Sequence, residues 1–198
     1  MITAFEKFAG WMAVLAGVSG FLYSVAFIVL QNNLLSGLFL MLGGLFSTAA
    51  LTALYQRLRE TDNGFALLGL LLTLSAAIGS AIHGGYDLSN ALHPPTSLNI
   101  DLPNPIDPRG LLTFGVAGLG LLLLAWLMTQ EMRFPRRLAY LGLLSAVLMI
   151  ILYLGRLIIL QATSLIIVIP ALLEGFIVNP IWYIWLGLTF FRGISSAK

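Results

Sequence analysis

The sequence predicts an all-α, polytopic membrane protein: a compact bundle of six transmembrane helices forming one domain over residues 1–198. Three observations carry that prediction. Only 9% of the residues are charged and 59% are hydrophobic, whereas a soluble domain carries about a quarter charged residues. Uncharged runs of roughly 18 residues or more, long enough to cross a hydrocarbon core of about 30 Å, recur along the chain. The basic residues sit between those runs and fall almost entirely in alternate loops.

The first span, about 8–30, follows "MITAFEK" directly. It is too long for a signal-peptide core and has no convincing small-residue cleavage site, so it is expected to be retained as a helix. The turn "QNN" leads to the second span, about 34–55, and "QRLRETDN" to the third, about 64–92. A loop over 93–109 holds five of the eight prolines and is expected to form a stiff outer cap. Within it Asp101, Asn104 and Asp107 lack the alternating ligand positions of an EF-hand and read as turn formers.

The fourth span, about 110–129, and the fifth, about 138–160, are separated by "EMRFPRR"; "QATS" precedes the sixth, about 165–191. The last would measure about 40 Å as a helix, longer than a bilayer core needs. It contains Pro170 and Pro180, each lacking a backbone donor. It is expected to be kinked or broken near them, with a tilted, kinked helix preferred to a half-span.

Under this topology Lys7, Arg57, Arg59, Arg133, Arg136, Arg137, Arg192 and Lys198 share one side, while the other keeps only Arg109 in a loop. The asymmetry predicts a cell-membrane protein with both termini cytoplasmic. Trp11, Tyr55, Trp126 and Tyr140 lie near that boundary, where amphipathic rings favour the interface. Small residues inside the spans, among them Gly17, Gly20, Gly43, Gly44, Gly115, Gly118, Gly120 and the Ser80–Gly84 pair, predict close helix packing.

The stretch "GSAIHGGYDLSNALHPP" sets His83, Tyr86, Asp87 and Asn90 on one helical face at the end of the third span. Counting from the inner boundary at 1.5 Å per residue puts His83 and Arg156 at about 27 Å and Glu174 at about 26 Å. Thr113 falls at about 24 Å, and Tyr23 and Tyr153 at about 22 Å. One polar layer near the outer leaflet is therefore expected, in which Arg156 pairs with Glu174 or Asp87 because an intramembrane charge needs a partner.

Composition narrows the chemistry. The absence of cysteine removes disulfides, iron–sulfur clusters, covalent haem and thiol catalysis. No lysine inside a span is available for a retinal Schiff base, and no glycine-rich phosphate loop is present. Zinc would have to use His83, Asp87, His93 and Glu174, a set short of histidines. Haem b would need histidines on facing helices. The basic residues flank spans, which speaks against nucleic acid. The expected function is an outward-facing polar pocket for a small anionic or lipid-headgroup-like ligand. His83, Tyr86, Asp87, Asn90, Arg156 and Glu174 would line it, with Tyr23, Thr113 and Tyr153 below. The alternatives are a metal-assisted intramembrane hydrolase using the same layer and an accessory or scaffold subunit with a membrane-protein partner or a second copy of itself. With no polar group expected in the inner half of the bundle, a transport pathway is disfavoured.

Overall fold

The computed structural model describes residues 2–94, 109–159, 161 and 163–192. The segment holding Asp101, Asn104 and Asp107 lies outside those residues. Among the described residues six helices are long and apolar enough to cross a membrane. They are α1 (Ala4–Val29), α2 (Asn33–Leu58), α3 (Asn63–Leu92), α4 (Leu111–Gln130), α5 (Arg136–Ile159) and α6 (Leu165–Phe191).

Local chemistry sets the first three helix starts. The Thr3 hydroxyl accepts from the Glu6 amide at 3.1 Å, and the Glu6 carboxylate accepts from the Thr3 amide at 2.9 Å. This reciprocal pair satisfies donors that the first turn leaves free. Asn32 and Asp62 cap α2 and α3 by accepting from the Leu35 and Phe65 amides, each at 3.0 Å. Gln31, at φ 49°, turns the chain out of α1 through the left-handed region.

Consecutive helices pack side by side, and α6 returns against α1 to close a ring. Lipid tails solvate leucine as well as a neighbouring helix does, so cohesion must come from close backbone approach. A Cβ on Gly44 of α2 would stand 2.5 Å from the Ala77 carbonyl oxygen of α3. One on Gly187 of α6 would stand 2.5 Å from the Gly10 carbonyl oxygen of α1, and one on Gly118 of α4 2.9 Å from that of Ala146 on α5. Gly84, from the small-residue pair in α3, lies against the backbone of Gly37 and Met41.

Gly10 facing Gly187 also places the start of α1 and the end of α6 at one end of the ring, here the terminal end. α3 ends and α4 begins at the other, the loop end. Large, fully buried side chains, including Leu54, Leu58, Leu124, Met128, Trp182 and Phe190, fill the terminal half.

Arg57 belongs to this terminal core rather than to a solvated charge run, being only 3% exposed. Its Nε donates to Glu6 at 2.9 Å, and its Nη atoms donate to the carbonyls of Thr189 and Phe190 at 3.4 and 3.5 Å. The guanidinium also lies 4.9 Å from the Phe190 ring centroid. A cation thus meets the carbonyls at the end of α6, where the helix dipole favours positive charge, tying α1, α2 and α6 together. Nearby, Arg133 bridges Glu60 at 2.9 Å and Glu131 at 2.7 Å, and Thr61 donates to Glu131 at 3.0 Å. The α2–α3 and α4–α5 turns are joined by these contacts.

α6 runs as a helix through both prolines, so the half-span does not form. Its irregularity lies between them: one π turn over Glu174–Val178, in which the Asn179 amide donates to the Glu174 carbonyl five residues back. Pro180 comes next. Widening the ladder there gives its ring room against the preceding turn. Two further π turns occupy Val25–Val29 of α1 and Leu111–Val116 of α4.

Two outcomes follow from this packing. Gly44→Ala should cost about 1–3 kcal/mol, because its methyl would press on backbone that cannot move aside. Gly43→Ala should be nearly neutral, since its Cβ would meet Ser19 at an ordinary 3.5 Å. Thermal unfolding in detergent compares the two. The hydrogen bond from Arg133 holds the Glu131 carboxyl down at about 2, against an ordinary 4.5. A carboxyl depressed in the folded state stabilises above its ordinary value and loses that contribution as pH falls toward about 2. The melting temperature of Glu131→Gln should therefore fall less steeply with acidification below pH 4.5 than that of the parent.

Candidate functional site

A polar cluster outside the terminal end joins α3 to the start of α4. Spacing on α3 sets His83 and Asp87 one turn apart, and the His83 Nε2 lies 3.3 Å from Asp87 Oδ2. The other ring nitrogen, Nδ1, is 3.3 Å from the Thr113 hydroxyl of α4. That hydroxyl donates to the Arg109 carbonyl at 3.1 Å. Asp87 Oδ1 accepts from Arg109 Nη1 at 3.1 Å, and the Arg109 guanidinium lies 4.6 Å from the Tyr86 ring centroid. A continuous polar chain thus runs Thr113–His83–Asp87–Arg109, with Tyr86 stacked on its cationic end.

Burial grades along it. Thr113 is 8% exposed, the His83 side chain 14%, and those of Asp87 and Arg109 34% each. Thr113 sits on the π turn of α4, and the Tyr153 ring packs beside it, 2.9 Å from where a Cβ on Gly115 would be. Asn90, half-buried, occupies the next turn of α3.

Two of the residues expected in this layer stand elsewhere. Arg156 is exposed and pairs with neither Asp87 nor Glu174. Its neighbour Gly155 is the residue buried against Ile167, and one step along a helix turns the next side chain away. Glu174 is buried, and its Oε1 accepts from the Ser145 hydroxyl of α5 at 2.6 Å. Ser145 is about 16 Å along α5 from Arg156, so the Glu174 carboxyl lies well below the loop-end cluster. Tyr23 stacks on Phe27 of its own helix at 5.6 Å.

This separation also disperses the metal set. Glu174 is at Ser145, and His93 is exposed beyond the end of α3. Among the described residues no three His, Cys, Asp or Glu side chains group closely enough to share a metal ion.

Two participants escaped the sequence reading. Arg109 looked like an isolated loop charge. The available signal was an acid at the end of one span and a base at the start of the next, which antiparallel helices bring face to face. Ser145 carried no signal beyond its presence in an apolar run.

The exterior completes the class. Large apolar side chains such as Leu71, Ile82, Ile158 and Leu165 are more than half exposed, while alanine and glycine occupy the helix contacts. An apolar surface of this extent requires lipid. The fold is that of an integral, multi-pass membrane protein. Comparison with protein-family models, with curated proteins and with solved structures finds no match in any of the three.

The Asp87–Arg109 pair invites a coupling measurement. For an ion pair one-third exposed, a double-mutant cycle of Asp87→Asn and Arg109→Gln should return about 1 kcal/mol or less. Thr113→Val should cost more than either single change, because it strips the partly buried His83 of a partner. Denaturant unfolding in detergent reads both.

Proposed function

We propose that this membrane protein binds a small anionic or lipid-headgroup-like ligand at its loop end, with Arg109 as the anion-recognising group. The observation that supports this reading is the Asp87–Arg109 pair. Both side chains are partly open to the outside, and Tyr86 fixes the plane of the guanidinium. Such a fork is preorganised for a carboxylate or phosphate. Asp87 acts as the internal stand-in that an incoming anion displaces or joins, and His83 beneath it takes up or releases a proton as the charge on Asp87 is shared. Asn90 and Tyr153 flank the site. The charge asymmetry of the loops supports placing this end outside the cell, with the termini in the cytoplasm.

A second reading has its own observation: both His83 ring nitrogens and both Asp87 oxygens already have partners. A chain so satisfied also suits a clasp that pins α4 to α3 in a scaffold or accessory subunit.

The test is thermal unfolding of the full chain in nanodiscs. Phosphatidylglycerol in place of phosphatidylcholine should raise the midpoint by several degrees if a lipid headgroup is the ligand. Inorganic phosphate added to phosphatidylcholine discs should do so if the ligand is soluble. Arg109→Gln should abolish either response and Arg109→Lys should keep only part of it. An equal response in the parent and Arg109→Gln would overturn the binding reading. A lowered midpoint in the variant with no anion response in either protein would establish the clasp.

A further inference from the structure

The Glu174 carboxyl is separate from the loop-end cluster. It is 5% exposed and stands on the π turn of α6. Its partner Ser145 lies about 14 Å into α5, a helix about 36 Å long, so the carboxyl is near the middle of the bundle. The second carboxyl oxygen, Oε2, has no hydrogen-bond partner among the described residues, and neither has the indole Nε1 of Trp182. Trp182 packs against Gly142, one turn of α5 from Ser145. Two unsatisfied polar atoms, one acceptor and one donor, therefore face adjacent turns of the same helix.

The surroundings are polar but neutral. α5 presents Ser145 and Gly142, and α1 presents Gly20 and Ser24. On α6 itself Asn179 stands beside the carboxyl. The ionisable group in electrostatic reach is the Tyr183 phenol, which lies beside Ser47 of α2. Tyr23, on α1, is engaged with Phe27, while Tyr140 and Tyr153 on α5 are each more than a turn from Ser145. The basic side chains that make ion pairs, Arg57, Arg109 and Arg133, make them with other acids.

A carboxylate at this depth demands a counter-charge, and intramembrane acids without a fixed one mark ion and proton sites. We propose that Glu174 is the binding site of an exchangeable small monovalent cation, a proton or a sodium ion, held at Oε2 with the Ser145 and Asn179 oxygens as neighbours. A permanent arginine would lock the charge balance. Neutral oxygens let it be made and unmade. The π turn contributes by bringing Glu174 to face α5 while Asn179, five residues on, remains beside it. The site supplies the polar group at mid-depth that the sequence reading had placed at the rim.

Infrared difference spectra and thermal midpoints of the purified full chain test this. They are recorded across roughly pH 4–9, where buried carboxyls titrate, with sodium chloride exchanged for choline chloride. The parent should show a buried-carboxyl band that changes with pH above about 5, clear of the Glu131 response, and a midpoint shift that tracks it; Glu174→Gln should lose that band and that shift. If sodium displaces the pH response the bound ion is sodium in exchange with the proton, and if sodium has no effect it is the proton alone. Should Glu174→Gln fail to fold, Ser145→Ala should move the pH midpoint of the same band. A parent without a titrating carboxyl band and without a sodium response, or a folded Glu174→Gln that keeps either one, would overturn the proposal.

Discussion

The structure depends on helices touching where one of them has no side chain. Five of the six neighbouring pairs in the ring have such a place, from Gly44 against Ala77 between α2 and α3 to Gly142 against Trp182 between α5 and α6. In lipid the hydrophobic effect does not distinguish one apolar surface from another, so dispersion between closely fitted backbones must do the holding. The division of residue types follows: many leucines and isoleucines face outward, glycine and alanine face the neighbouring helix, and the large buried side chains collect in the terminal half. Close contact also leaves little room for polar side chains between helices. They gather where the packing is relieved, at the bundle ends and at local irregularities of the helices.

Those irregularities are π turns, and two of the three among the described residues carry polar groups. Thr113 lies on the one in α4 and receives His83 across the interface. Glu174 lies on the one in α6 and reaches Ser145. A π turn adds a residue to the ladder and alters which side chains share a face. It can therefore deliver a polar group to a neighbour that a regular helix would miss. Pro180 gives the α6 turn a local cause. At the terminal end the equivalent role falls to Arg57, whose fork satisfies Glu6 and the last carbonyls of α6 together.

Away from the terminal end, the polar residues consequently form two assemblies at different depths. One is an ion chain, partly open at the loop end. The other is an enclosed carboxyl near the midplane with an unsatisfied oxygen. Counting residues from the ends of the spans had merged them, because it treats each helix as straight, regular and perpendicular to the bilayer. For His83 and Thr113 that approximation holds well enough to bring them together. For Glu174 it fails, since a π turn and the reach of the side chain both intervene before the carboxyl meets α5.

The sequence by itself determined the class of the protein, the number and order of its helices, and their boundaries to within a few residues. Those properties follow from hydropathy, length and capping chemistry, all of which are local. It also picked out His83, Asp87 and Thr113, because helical spacing and a shared height were sufficient guides near a helix end. Only the tertiary structure decided the partners. Arg109 rather than Arg156 meets Asp87, Ser145 meets Glu174, and Arg57 is buried. Partner choice depends on how each helix is rotated about its axis, and uniformly apolar helices carry almost no amphipathic signal to set that rotation. Backbone fit between glycines sets it instead, and that fit exists only once the helices are assembled.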